Sequence, residues 1–176
     1  GNLKLDIDLG KGFSMYGRVT HDFSNETRET KIPWSYSRVR TGGYHLDQLQ
    51  TNETNIDAML TYRKKINDFD IVLNGGGNSM LRSFNASYMG GQPLNIPGLY
   101  RITNVPTGSR TNRYTTEEKR ILSLLGMANI GFKDQFYLDL TARNDWSSTL
   151  PAANRSYFYP SVGGSWVANN TFELPS

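Results

Sequence analysis

The feature that most constrains this chain is the alternation from Gln135 to Asp145. Phe136, Leu138, Leu140 and Ala142 fall on one parity, and Tyr137, Asp139, Thr141 and Arg143 on the other. A period of two means a strand with one apolar and one polar face. The preceding run, Arg120 to Phe132, repeats the pattern. There Leu122, Leu124, Ala128, Ile130 and Phe132 oppose Ser123 and Asn129, and Lys133-Asp134 supplies a tight turn between the runs. Length is the deciding magnitude. An ordinary strand has about 5–6 residues, whereas a strand crossing a bilayer at a tilt needs roughly 9–11. Both runs belong to the second class.

The rest of the chain follows the same rule. Leu3, Leu5, Ile7 and Leu9 alternate with Lys4, Asp6 and Asp8, and Gly10-Lys11-Gly12 closes a hairpin onto a return strand from Phe13 to Phe23. Ile56, Ala58, Leu60 and Tyr62 alternate with Asn55, Asp57, Thr61 and Arg63. Asn67-Asp68 turns the chain into Phe69, Ile71 and Leu73. Gly75-Gly76-Gly77 predicts a bulge or a close backbone approach. A last strand, Tyr157 to Ala168, carries Phe158, Val162, Trp166 and Ala168 on one face and Ser161, Gly163 and Ser165 on the other, with a turn at Asn169. Three stretches lack a strand period: Ser24–Asn52, Met80–Thr116 and Trp146–Ser156. They are expected to be long irregular loops, with a short excursion at Tyr44–Leu49 extending the first. Short and long connections then alternate along about seven strands. The expected fold is an all-β, antiparallel up-and-down meander, part of a transmembrane β-barrel with short periplasmic turns and long extracellular loops.

Composition removes several alternatives. There is no Cys and only 2 His, which leaves little material for thiol chemistry or a transition-metal site. The net charge of +3 is spread over scattered Lys and Arg rather than gathered in a stripe with aromatics, so nucleic acid is not an expected partner. No apolar run nears the roughly 20 residues of a membrane-crossing helix. The mean hydropathy of −0.54 is compatible with a barrel, in which polar and apolar positions average out. The chain begins at Gly1 without Met or a signal sequence, and the whole of residues 1–176 is expected to be one segment of a longer barrel domain.

A series of short motifs carries a family resemblance. In order they are Ser123-x-x-Gly126-x-x-Asn129, Lys133-Asp134-x-Phe136, Arg143-Asn-Asp145-Trp-Ser-Ser148-Thr-Leu-Pro151, Asn154-Arg155, Tyr159-Pro-Ser-Val162 and Trp166. Together they resemble the barrel of SusC/RagA-type TonB-dependent outer-membrane transporters, specifically over Ile121–Pro175 and more generally over Tyr62–Ser87. Met127 stands where that family typically has Arg. The resemblance implies a Gram-negative outer-membrane protein that imports oligosaccharides or peptides. It also implies energy delivered by TonB, a SusD-like surface lipoprotein as partner, and no cofactor. The plug domain and TonB box of such transporters have no counterpart in this sequence.

Each candidate site residue also has a plainer role open to it. Trp34, Tyr36, Tyr100 and Trp146 are candidates for stacking on a glycan or peptide. A girdle role at a membrane interface competes for Phe23, Trp34, Tyr36, Tyr88, Trp146, Tyr157 and Tyr159, which cluster near the loop ends. Tyr137, Asp139, Arg143 and Asp145 are expected to face a lumen, with Asp139, Arg143 and Asp145 as an ion-pair ladder rather than a glycosidase carboxylate pair. Asp6-x-Asp8 lacks the 6–8 oxygens of a calcium site, and His21 and His45 have no recognisable triad partners. Asn25, Asn52, Asn85, Asn154 and Asn169 match the N-x-S/T pattern and read as turn residues in a bacterial protein. No enzyme activity is expected. The rival reading is a soluble, secreted all-β carbohydrate-binding or adhesin-like module, which would pack its apolar faces together.

Overall fold

A computed structural model describes residues 1–168. The described residues form seven strands: β1 (Asn2–Gly10), β2 (Phe13–Tyr36), β3 (Val39–Ile66), β4 (Phe69–Gly91), β5 (Arg110–Phe132), β6 (Phe136–Ser147) and β7 (Ser156–Trp166). They make one sheet in sequence order, β1 to β7. The registers given for β1–β2, β5–β6 and β6–β7 are antiparallel, which gives the expected meander. Three single 3₁₀ turns, Ile102–Asn104, Thr107–Ser109 and Ala152–Asn154, interrupt the connections.

The tight turns fall where the sequence places them. Lys11, Asn67, Lys133 and Asp134 all take positive φ. Gly12 is fixed by its neighbours as well as by its φ of +86°, because a Cβ there would run into the Arg63 carbonyl. Gly76 and Gly77 make the close backbone approach expected of the Gly75-Gly76-Gly77 run, while Gly75 faces open space. A Cβ on Gly76 would strike the Ala58 carbonyl, and one on Gly77 would lie 2.9 Å from the Ser123 carbonyl. The turn expected at Asn169 lies outside the described residues.

Two of the three expected long loops are mostly strand. β2 and β3 have 24 and 28 residues and continue to Tyr36 and from Val39, so the chain from Ser24 to Asn52 is a ribbon closed by a two-residue turn. Likewise β4 runs on to Gly91 and β5 begins at Arg110, leaving only 92–109 irregular within Met80–Thr116. The physical reason is that the apolar residues of these ribbons come in short stretches, such as Phe84, Ala86 and Tyr88, and not as one sustained face. Strand pairing there rests on backbone hydrogen bonds, and β2 sets opposite charges two residues apart on one face, Arg28–Glu26 at 2.6 Å and Lys31–Glu29 at 2.8 Å. Hydrophobic periodicity cannot reveal such a strand. The third loop is irregular as expected, between Ser147 and Ser156.

The chain divides into two compact units. The first comprises Gly1–His21, Thr54–Leu81 and the chain from Lys119 onward; the second comprises Asp22–Glu53 and Arg82–Glu118. In the first unit, β1, β6 and β7 have 9, 12 and 11 residues, about the length a tilted strand needs to cross hydrocarbon. Its apolar side chains are not enclosed: Phe136 is 46% exposed, Leu140 36% and Val162 74%. The second unit holds the small buried cluster of the described residues. Tyr44, Leu94 and Val105 are buried together, with Leu46, Tyr100 and Ile102 packed against them.

Candidate functional site

Cross-strand register fixes which side chains share a face in the first unit. Leu138 pairs with Ile130 and Gly164, Leu140 with Ala128 and Val162, and Phe136 with Phe132 and Trp166. Paired residues point to the same side of a sheet, so the apolar parities of β5, β6 and β7 merge into one continuous surface. Aromatic rings gather at its tight-turn end. Phe13 and Tyr62 lie 4.4 Å apart by ring centroid, Phe69 and Phe132 4.8 Å, and Phe136 and Trp166 6.2 Å. This row lies at the opposite end from the loop-end aromatics expected to form a girdle. The signal was present: each of the six sits near a tight turn, or across the strand from a residue that does, on the apolar parity.

The opposite face of the same unit is polar and internally hydrogen-bonded. Arg18 Nη2 reaches Asp57 at 2.8 Å, and Asn78 donates to the other oxygen of Asp57 at 2.7 Å. Thr61 donates to Asn74 at 2.7 Å. Tyr137, Asp139, Arg143 and Asp145, expected to face a lumen, lie on this side, paired with Gly131, Asn129, Leu125 and Ser123. The expected three-member ion-pair ladder does not form. Arg143 binds Asp145 at 2.8 Å and donates to Ser123 at 3.2 Å, while Asp139 accepts from Asn129 at 2.5 Å. The reason is reach: two positions along a strand are about 7 Å, but the four from Arg143 to Asp139 are about 13 Å.

The stacking candidates are divided between the two units. Trp34, Tyr36 and Tyr100 belong to the second unit and Trp146 to the first. Trp146 pairs with Leu122 and Ser156 on the apolar parity. Trp34 is 37% exposed and borders Gly42 together with Leu94. Tyr36 is exposed next to the β2–β3 turn. Tyr100 is half-buried against the Tyr44–Leu94–Val105 cluster.

That cluster is organised by two polar residues. Asn104 is buried; it accepts from the Ile96 amide at 3.0 Å and donates to the carbonyls of Ile96 and Leu99 at 2.8 and 2.7 Å. It thereby replaces the ladder that segment 92–109 lacks. Tyr44 donates its hydroxyl to Glu29 at 2.9 Å. Hydrogen bonds from Lys31 and then from Tyr44 hold the Glu29 carboxyl below its usual range, while burial and the bond to Glu29 push the Tyr44 hydroxyl up.

A second feature of this unit was not foreseen. Asp47, Leu49, Tyr88, Arg113 and Thr115 line a cleft of about 380 Å³. Tyr88 on β4 lies between two neighbours. His45 of β3 is stacked at 5.5 Å and accepts or donates a 2.5 Å hydrogen bond with its hydroxyl, and the Arg113 guanidinium of β5 lies 5.4 Å from its ring centre. His21, in the first unit, bonds Thr54 at 2.9 Å. Among the described residues no cluster of His, Cys, Asp or Glu is arranged to hold a metal ion, and no helix is long and apolar enough to cross a membrane.

No family model and no curated protein matches the sequence. Solved structures do match its fold. One, a structure of the RagAB peptide transporter, superposes with a TM-score of 0.88 at 22% identity, covering 99% of this chain and 20% of that one. Another, the RagAB peptide importer in its "closed-closed" state, gives 0.87 at 22% identity with the same coverage. This chain spans a fifth of the length of the chains it matches, and over that span it is a seven-stranded antiparallel meander with the fold of one segment of a RagAB transporter chain.

Proposed function

We propose that the chain is a segment of an outer-membrane β-barrel serving nutrient import, in a transporter of the SusC/RagA type. The observation that carries this reading is the exposed apolar surface of β5, β6 and β7, bordered by a row of aromatic rings. An apolar patch of this extent on a protein calls for a partner surface, and a hydrocarbon layer flanked by aromatic girdles fits it. A secreted sandwich module would turn Phe136, Leu140 and Val162 inward, which the exposure of all three weighs against.

Backbone chemistry supports the same reading. In hydrocarbon every N–H and C=O must be paired within the protein, so only helices and closed barrels span it. β1 and β7 each have a single neighbour in this sheet; closure would come from further strands, as in a 22-stranded barrel with a plugged lumen. The polar face with Tyr137, Asp139, Arg143 and Asp145 would line that lumen. The complete transporter would draw energy from TonB and work with a SusD-like lipoprotein on a glycan or peptide. Flotation with liposomes tests the membrane part. Assembled with the remaining strands of its barrel, the chain is expected to float with vesicles and to resist extraction by high salt. Recovery as a soluble, detergent-free monomer that stays at the bottom of the gradient would contradict it.

A further inference from the structure

We infer that the corner where the β1–β2 turn meets the end of β3 is a headgroup site for an anionic phospholipid, with Lys11 and Lys64 taking its phosphate and the Phe13–Tyr62 ring pair lying against its acyl chains. This rests on the membrane reading and names the lipid that the apolar face selects.

Strand register sets two like charges together at this corner, all of it within the first unit. Phe13 packs on Tyr62, Arg18 pairs with Asp57 and His21 bonds Thr54, so β2 and β3 run antiparallel. The Arg63 amide donates to the Gly12 carbonyl at 2.8 Å, and a Cβ on Gly12 would meet the Arg63 carbonyl. The next position toward the turn is Lys11 on one side and Lys64 on the other. Like charges opposite one another destabilise a strand pair. Both lysines are exposed, and neither has an ion-pair partner among the described residues. The nearby carboxylates do not supply one. Asp6 pairs with Lys4 at 2.7 Å, Asp8 accepts from the Gly10 amide at 2.8 Å, Asp68 lies 3.9 Å from Lys133, and Asp70 stands on the polar parity of β4 against Gly131. Arg63 and Lys65 add further positive charge on the polar parity. A phosphate taken up by Lys11 and Lys64 removes the repulsion that their placement creates.

The surface beside the lysines selects a lipid over a soluble anion. Lys64 continues the parity of Ile56, Ala58, Leu60 and Tyr62. On the neighbouring strands Ile7 pairs with Met15 and Leu5 with Gly17, on the parity of Phe13, and Leu5, Ile7, Phe13 and Met15 are all exposed. A phosphate carrying acyl chains covers both the ammonium groups and this apolar track, whereas a soluble phosphate covers only the first. Lysine suits the border, because its methylenes lie along apolar surface while its ammonium stays at headgroup level. Two ammonium groups without a counter-charge favour a headgroup of net negative charge over a zwitterionic one, whose own cation they repel. Lys133, in the same row of turns, is the contrasting case. It lies 5.4 Å from the Phe132 ring centre but has Asp68 as its counter-charge, which confines the site to the β1–β3 corner.

The test is native mass spectrometry of the complete barrel containing this chain, stripped of lipid in detergent and titrated with phosphatidylglycerol, phosphatidylcholine or glycerol 3-phosphate. Phosphatidylglycerol is expected to bind more tightly than phosphatidylcholine, and glycerol 3-phosphate, which has the phosphate without acyl chains, is expected not to bind. Lys11→Gln and Lys64→Gln are each expected to weaken phosphatidylglycerol binding about fivefold, the worth of one lysine near an anionic headgroup, and to leave phosphatidylcholine unchanged. Lys133→Gln is expected to keep the preference. Equal binding of the two lipids, tight binding of glycerol 3-phosphate, or a loss in Lys133→Gln as large as in Lys64→Gln would overturn the inference. The comparison of lipids on the unaltered protein decides this even where a variant misfolds. A barrel that floats with phosphatidylcholine vesicles but shows no headgroup preference would remove the site and leave the transporter reading standing.

Discussion

At the scale of single residues, most of the specificity in the second unit rests on Asn104 and Tyr44. Asn104 is 5% exposed and satisfies three backbone groups of a segment with no strand partner. Replacing it with Ala removes three hydrogen bonds, each with a net worth of about 0.5–1.5 kcal/mol. The expected outcome for Asn104→Ala is faster hydrogen exchange at the Ile96 amide with little change in the first unit, measured by mass spectrometry after proteolysis. Tyr44 and Glu29 give the unit a pH signature at both extremes. The Glu29 carboxyl titrates lower when folded, so its contribution is present above the ordinary carboxyl range and is lost as pH falls through the lowered value. The Tyr44 hydroxyl titrates higher, so its contribution is complete below the ordinary tyrosine range and is lost as pH rises through the raised value. Exchange protection around Leu94 and Val105 should therefore be maximal between the two, and Tyr44→Phe should abolish the alkaline loss. Neither residue's role was legible beforehand. Tyr44 stood in a stretch read as a possible excursion, and Asn104 among Pro and Gly punctuators, because burial by a loop leaves no periodic trace.

At the scale of elements, strands with an apolar face were read well and strands without one were not. β1, β6 and β7 and the tight turns at Lys11, Asn67 and Lys133 match their expected positions, since alternation and positive-φ turn residues are local signals. The continuation of β2 and β3 through Ser24–Asn52 escaped because Glu26, Arg28, Glu29 and Lys31 offer ion pairs in place of a hydrophobic period. Face assignment in β6 leads to a direct comparison. Leu138 lies mid-strand on the apolar side between Ile130 and Gly164, and Thr141 on the polar side between Met127 and Ser161. Leu138→Arg should destabilise the membrane-inserted state by about 2–4 kcal/mol, the value for a cation at a bilayer midplane. Thr141→Arg should cost much less. Equal losses in a urea titration of lipid-refolded protein would count against the two-face arrangement.

At the scale of the whole molecule, function turns on what covers the apolar surface of β5, β6 and β7. The lengths of β6 and β7 and the paired rings at the tight-turn end suit a lipid surface. The measurement that addresses this most directly is fluorescence quenching by brominated lipids, in the variant Trp34→Phe/Trp146→Phe that keeps Trp166 alone. Trp166 stacks on Phe136 on the apolar surface, and its emission is expected to be quenched strongly by bromine placed in the acyl chains and weakly by aqueous iodide. Strong iodide quenching with no response to brominated acyl chains would contradict the account.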